Sequence, residues 1–220
     1  MCFSVEADVV AGVVVTAVGI DTLRHVGHDR EAAMAALPVI FGIHQLIEVP
    51  VWLGAEGRVD EGVAQLAAWV YLVIAFAIIP VVVPYAVRRL ETDPRRRDRM
   101  TWLIGVGGVV AVALTIPLLV GPISAVDGGN HIAYSVPLAI GGLLTVLYVV
   151  ATCGSLLLST DKAVVIYGAV NLVAVTTLAA LLTSGVISLW CVLAAVTSVA
   201  IAIHLRRLHR QHEQSAAMIA

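Results

Sequence analysis

His44 and Glu48 stand four residues apart in FGIHQLIEVPVW, residues 41 to 52, inside a segment that is otherwise apolar. Phe41, His44, Glu48 and Trp52 are spaced three, four and four apart, which lines one face of a helix. Apolar surroundings disfavour the charged form of a carboxyl group, whereas an adjacent imidazolium favours it. Glu48 is therefore expected either as a neutral acid holding a proton or as the hydrogen-bonded partner of His44. Both states suit proton transfer. The competing reading is that the pair only ties helices together.

The elements that carry this face are membrane spans. Hydrophobic residues make up 60% of the 220 and charged residues 13%, against about a quarter charged in soluble domains. The apolar blocks reach the roughly 20 residues that a helix needs to cross a bilayer. Seven such blocks are predicted, at 7–25, 34–53, 63–87, 101–120, 131–153, 163–182 and 186–205. Barrel strands would be half as long and would alternate, so the spans are helices. The fold class is all-α: one seven-helix transmembrane domain over 1–205, followed by a polar tail over 206–220.

Basic residues orient the bundle. Of the 13 in the chain, all but Arg58 fall in the connections after spans 1, 3 and 5 or in the tail. The positive-inside rule then puts the N-terminus outside and the C-terminus in the cytoplasm. The expected location is a membrane bordering the cytoplasm, crossed several times. The start, MCFSVEADVV, lacks a basic region and a cleavage site, so no removed signal peptide is read. The arginine-rich RRLETDPRRRDRM is expected to fix topology at the headgroup level.

Threading the spans with these directions brings distant polar residues to one depth. His44 falls near the midplane and Glu48 in the outer half. Glu6 and Asp8 enter with span 1. Gln65, Trp69 and Tyr71 enter with span 3, and Asn130, His131, Tyr134 and Ser135 with span 5. Trp190 and Cys191 enter with span 7. Tyr167 and Asn171 share a face of span 6 and extend the cavity inward. Ionisable groups at membrane depth are costly and point to function.

Each companion also has a plainer reading. Trp52, Trp69 and Trp190 fit an aromatic belt, and Glu6 and Asp8 fit first-turn acids facing a helix dipole. Asp21 is expected to pair with Arg24, and His204 to reach for headgroups beside Arg206 and Arg207. Pro80 and Pro84 are expected to kink span 3. Cys2, Cys153 and Cys191 share no metal-binding spacing. A Cys2–Cys191 disulfide is open on this topology, and buried thiols acting as small hydrophobes are the simpler case.

The blocks MCFS-x-EAD, FGIHQLIE, HIAY, YVVATCG, SLWC and SVAIAIHL, spread from residue 1 to about 205, resemble those of a bacterial family of small membrane proteins of unknown function. That resemblance implies a family and no chemistry. The architecture is also similar to small integral-membrane terpene cyclases of the indole sesquiterpene type, in size, span number and buried acids. This second likeness implies a Glu acting as Brønsted acid.

Three functions compete. The first is proton-initiated cyclisation of an isoprenoid such as a prenyl-indole. Glu48 is its acid and His44 orients it, while His131, Tyr134 or Glu6 removes the final proton. Phe41, Trp52, Trp69, Tyr71, Trp190, Tyr167 and Asn171 would line the substrate, aromatic faces stabilising carbocations and the dry site sparing them from water. No cofactor or metal is expected on this reading, and the partners are a lipophilic small molecule and membrane lipids, not nucleic acid. The second is a ceramidase-like metal hydrolase with His44, Glu48 and His131 as ligands. The third is a carrier or sensor of a lipophilic ligand or a proton.

Overall fold

The computed structural model describes residues 4–129, 131–138, 140–181 and 186–219. Cys2 and Asn130 lie outside them. Among the described residues the chain forms seven helices: α1 (Val5–Arg24), α2 (Asp29–Ala55), α3 (Glu61–Leu90), α4 (Pro94–Val120), α5 (Gly141–Leu157), α6 (Lys162–Leu181) and α7 (Val186–Ile219). Short polar side chains start several of them by accepting from first-turn N–H groups that have no partner within the helix. Ser4 accepts from Ala7 at 3.3 Å, Asp60 from Gly62 at 2.9 Å, and Asp93 from Arg95 at 2.8 Å.

Five helices are long and apolar enough to cross a membrane: α2, α3, α4, α6 and residues 187–207 of α7. The 17-residue α5 is apolar but shorter. Helix α1 carries Glu6, Asp8, Asp21 and Arg24 within its 20 residues and falls outside that set. The surface is inverted relative to a soluble protein. Trp102, Val120, Leu119 and Val109 are exposed, while Asp8, His44, Gln45 and Glu48 are wholly buried.

Helix α2 is the central staff, packing against α1, α3, α7 and the first strand. Its contact with α1 is close because Gly42 has no side chain. A Cβ there would sit 2.3 Å from the Thr16 hydroxyl. Small residues at such crossings let backbones approach, which is how helices associate without a hydrophobic drive.

Helix α3 is not regular. Residues Ile74–Ile78 form a π-turn, in which the Ile79 N–H reaches back five residues to the Ile74 carbonyl. The next residue, Pro80, has no N–H to offer Ala75 in the same way. The Tyr148 hydroxyl of α5 supplies the missing donor, at 2.8 Å from the Ala75 carbonyl. The expected proline effect thus takes the form of a widened turn before Pro80.

The fifth predicted span needs correction. Residues 131–153 are not one helix. Ser124–Asp127 (β1) and Ile132–Ser135 (β2) form an antiparallel hairpin in which Ala125 faces Tyr134, and α5 begins only at Gly141. The stretch GPISAVDGGNHIAYS alternates and carries turn glycines. Gly129 takes φ +89° and donates to the Asp127 carboxylate at 2.7 Å. Pro137 follows the second strand and delays the helix. Ile132 and Tyr134, two apart, point inward and are buried.

Two inner-end expectations are also corrected. Asp21 pairs with Arg206 of α7 and with His25 at 3.5 Å, rather than with Arg24. His204 Nε2 lies 2.8 Å from the Asp161 carboxylate and so has a protein partner. Helix α7 continues through the 205/206 boundary, and Arg206 anchors it to Thr22 of α1 as well, at 3.2 Å.

Candidate functional site

Three elements bring the core of the site together: α2 carries His44 and Glu48, α3 carries Tyr71, and β2 carries Tyr134. The Tyr134 hydroxyl donates to Glu48 Oε1 at 3.1 Å. The Tyr71 ring is fully buried between two others: His44, 3.8 Å away and inclined 17°, and Tyr134, 4.9 Å away and inclined 13°. His44 Nε2 lies 3.0 Å from the Tyr71 carbonyl. A carbonyl only accepts, so Nε2 carries the proton and Nδ1 keeps a lone pair. That Nδ1 is buried and without a hydrogen-bond partner among the described residues.

Of the two states expected for Glu48, the hydrogen-bonded pair with His44 is not formed. Shared helix face is not contact: His44 turns to the α3 backbone and Glu48 to the hairpin. The two are joined through the stacked tyrosines. Cys191 of α7 is buried and makes no disulfide among the described residues.

Cys191 leads to two cavities. The larger, about 110 Å³, is lined by Ala75, Phe76, Leu114, Tyr148, Ile187 and Trp190, among others. The smaller, about 30 Å³, lies among Phe41, Tyr148, Cys153, Tyr167, Asn171 and Trp190. Tyr148, Trp190 and Cys191 line both. The first two meet edge to face, ring centres 5.3 Å apart and inclined 65°, and form the partition. Of the predicted substrate-lining residues, Phe41, Trp190, Tyr167 and Asn171 reach this chamber. Glu48 itself does not line either cavity.

The others are dispersed. Trp52 is buried at 3% exposure, deeper than a belt residue. Trp69 donates to the Leu118 carbonyl at 3.2 Å, satisfying one of the open carbonyls at the end of α4. Tyr167 holds the Ala194 carbonyl at 3.4 Å, and Asn171 reaches Thr197 at 3.3 Å, so both also tie α6 to α7. The His131 ring lies over its own turn, where a Cβ on Gly128 would come within 2.7 Å of Nε2. Glu6 is exposed on the first turn of α1. Its own backbone N–H and then the Ser4 hydroxyl hold its carboxyl below the ordinary value, overcoming a small burial penalty. Among the described residues no three His, Cys, Asp or Glu side chains converge as metal ligands.

Sequence reasoning passed over Tyr148, which sits in an unbroken apolar run, and only the π-turn reveals its role. Asp8, gathered with the outer polar residues or read as a first-turn acid, is wholly buried in the first turn of α1. Contacts of Gly12 with Leu46 and Gly19 with Val39 set α1 antiparallel to α2. That register carries Asp8 to the level of Pro50, within one turn of Glu48. Its signal was the helical spacing of Asp8, Gly12, Val15 and Gly19.

Comparison with known proteins supplies a family and no reaction. The model of a family of unknown function matches residues 1–217. No curated protein and no solved structure matches the chain.

Proposed function

Since the chain belongs to DUF6629, a family of unknown function, we propose a reading from its own residues: a multi-pass membrane protein that takes a lipophilic isoprenoid into the aromatic chamber and uses Glu48 as a Brønsted acid. Its N-terminus lies outside and its basic connections inside. The observation that carries the reading is the Tyr134 hydroxyl on Glu48, beside the stacked rings of Tyr134, Tyr71 and His44. The Tyr134 donor on one carboxyl oxygen leaves the other oxygen to carry and give up the proton. Trp190, Tyr148, Phe76 and Phe41 offer faces to a developing carbocation. His44 positions Tyr71, and its unpaired Nδ1 offers a base to take a proton back. Substrate entry must part the Tyr148–Trp190 pair, because the two cavities are small beside ordinary ligand sites of roughly 300–1,000 Å³.

The test is incubation of detergent-purified protein with prenylated indoles and phenols, with and without chelator, followed by mass spectrometry and NMR of products. A cyclised product that persists in chelator and disappears in Glu48→Gln is the expected result. A Glu48→Gln variant as active as the parent overturns the proposal. The small cavities favour one second reading, a sensor in which a short lipophilic ligand or a proton shifts the Tyr148–Trp190 partition. Ligand binding without turnover by the parent protein would select it.

A further inference from the structure

The inner end of the bundle holds a groove of about 410 Å³ lined by Arg96, Ser159, Thr160, Lys162, Val165 and Ile166. It is built, not incidental. Arg96 donates to the carbonyls of Leu158 and Ser159 at 2.8 and 3.0 Å, which fixes the guanidinium against the α5–α6 connection. That connection is pinned from beneath by Glu91, whose carboxylate accepts from the Thr160 N–H and hydroxyl at 2.7 and 2.8 Å. The neighbouring acids are engaged: Asp161 with His204, Glu91 with its donors, and Asp93 with Arg96 Nε at 3.7 Å. Lys162 is exposed beside them.

Above the cations the wall turns apolar. Ile166, Val170 and Val173 run up one face of α6 and are 63%, 43% and 65% exposed. Two cations and two hydroxyl residues beneath an exposed aliphatic stripe match a molecule with an anionic phosphate at one end and hydrocarbon at the other. We propose that this groove binds the headgroup of an anionic phospholipid, with an acyl chain laid along Ile166, Val170 and Val173. Arginine and the Ser159 hydroxyl give the phosphate directional donors, and Lys162 adds a point charge. The inference rests on the membrane reading and is independent of any reaction at Glu48.

Extraction decides the first part: release of the chain into buffer without detergent would defeat the membrane reading itself. For the detergent-solubilised full chain, native mass spectrometry with phosphatidylglycerol, chain-matched phosphatidylcholine and inorganic phosphate tests the groove. Phosphatidylglycerol is expected to bind at least fivefold more tightly than phosphatidylcholine. Lys162→Gln should weaken that binding about fivefold, the effect of one basic residue at a lipid surface, and Lys162→Arg should restore it. Ile166→Ser should weaken the lipid while leaving the thermal melt unchanged. Equal retention of both lipids, or indifference to Lys162→Gln, overturns the proposal. So does competition by inorganic phosphate with no effect of Ile166→Ser, which would mark a free-anion site instead.

Discussion

Glu48 and Glu91 are both buried carboxyl groups, and the bundle holds them at opposite ends in opposite ways. Glu91 sits in the connection between α3 and α4. Its oxygens accept from the N–H groups of Thr92, Asp93 and Thr160 and from the Thr160 hydroxyl, all within 2.9 Å. Burial alone would push its carboxyl up, but these donors outweigh it and hold the group below the usual range. Backbone donors cannot titrate, so Glu91 is a fixed anion that joins two connections. Glu48 receives a phenol from a neighbouring hairpin and lies among rings. Donors of that kind can give as well as accept. One carboxyl is a clamp; the other, on the proposed reading, exchanges a proton.

The largest expected effect separates the two by activity. Glu48→Gln keeps shape and can still accept from Tyr134, yet it removes the acid and should lower turnover by about 10²-fold or more. Glu91→Gln should leave turnover within about twofold. Equal losses in both would erase the contrast, because Glu48 would then be no more than structural. Stability should reverse the order. Glu91→Ala strands several donors at once and should destabilise the protein by about 2–4 kcal/mol in detergent unfolding, whereas Glu48→Gln should cost less than about 1 kcal/mol.

A pH series sharpens the same point. The folded value of Glu91 is depressed, so its stabilisation is present in full above the unfolded carboxylate value of about 4.3. It is lost as pH falls through the lower folded value. Acid should therefore close the stability gap between the parent and Glu91→Gln. A gap that stays constant from neutral pH down to about pH 3 would show that the clamp does not depend on charge.

How much of this was legible before the structure depends on what each residue contacts. The apolar blocks named the helices, because burial in lipid leaves a run of hydrophobic residues whatever the partners are. His44, Glu48, Tyr71 and Tyr134, expected at neighbouring depths, do meet in the structure. Their bonding was not legible, since His44 binds a main-chain carbonyl and every residue carries one. The hairpin was hidden because IAYSVPLAI is as apolar as the helix that follows it. The burial of Asp8 was not legible, because an exposed first-turn acid and a buried one share the same sequence neighbourhood. The inner ion pairs joined residues more than forty positions apart, as with Asp161 and His204, where local spacing offers no guide.

The smallest effect concerns the π-turn that leads from the Tyr71 turn to the chamber wall. If Tyr148 replaces the donor that Pro80 lacks, the two residues are coupled. Tyr148→Phe alone leaves the Ala75 carbonyl buried without that donor and should cost about 1–3 kcal/mol. In a Pro80→Ala background residue 80 regains its N–H and the turn can satisfy its own carbonyl. Tyr148→Phe should then cost about 1 kcal/mol less, and the double-mutant cycle isolates that coupling. An equal cost in both backgrounds would mean that Tyr148 acts only by filling space beside Trp190. In that case the π-turn would owe its shape to the close approach of α4, where a Cβ on Gly107 would meet the Pro80 carbonyl at 2.0 Å. Gly107→Ala would then be the variant that disturbs the chamber, and Tyr148 would be free to move without disturbing α3.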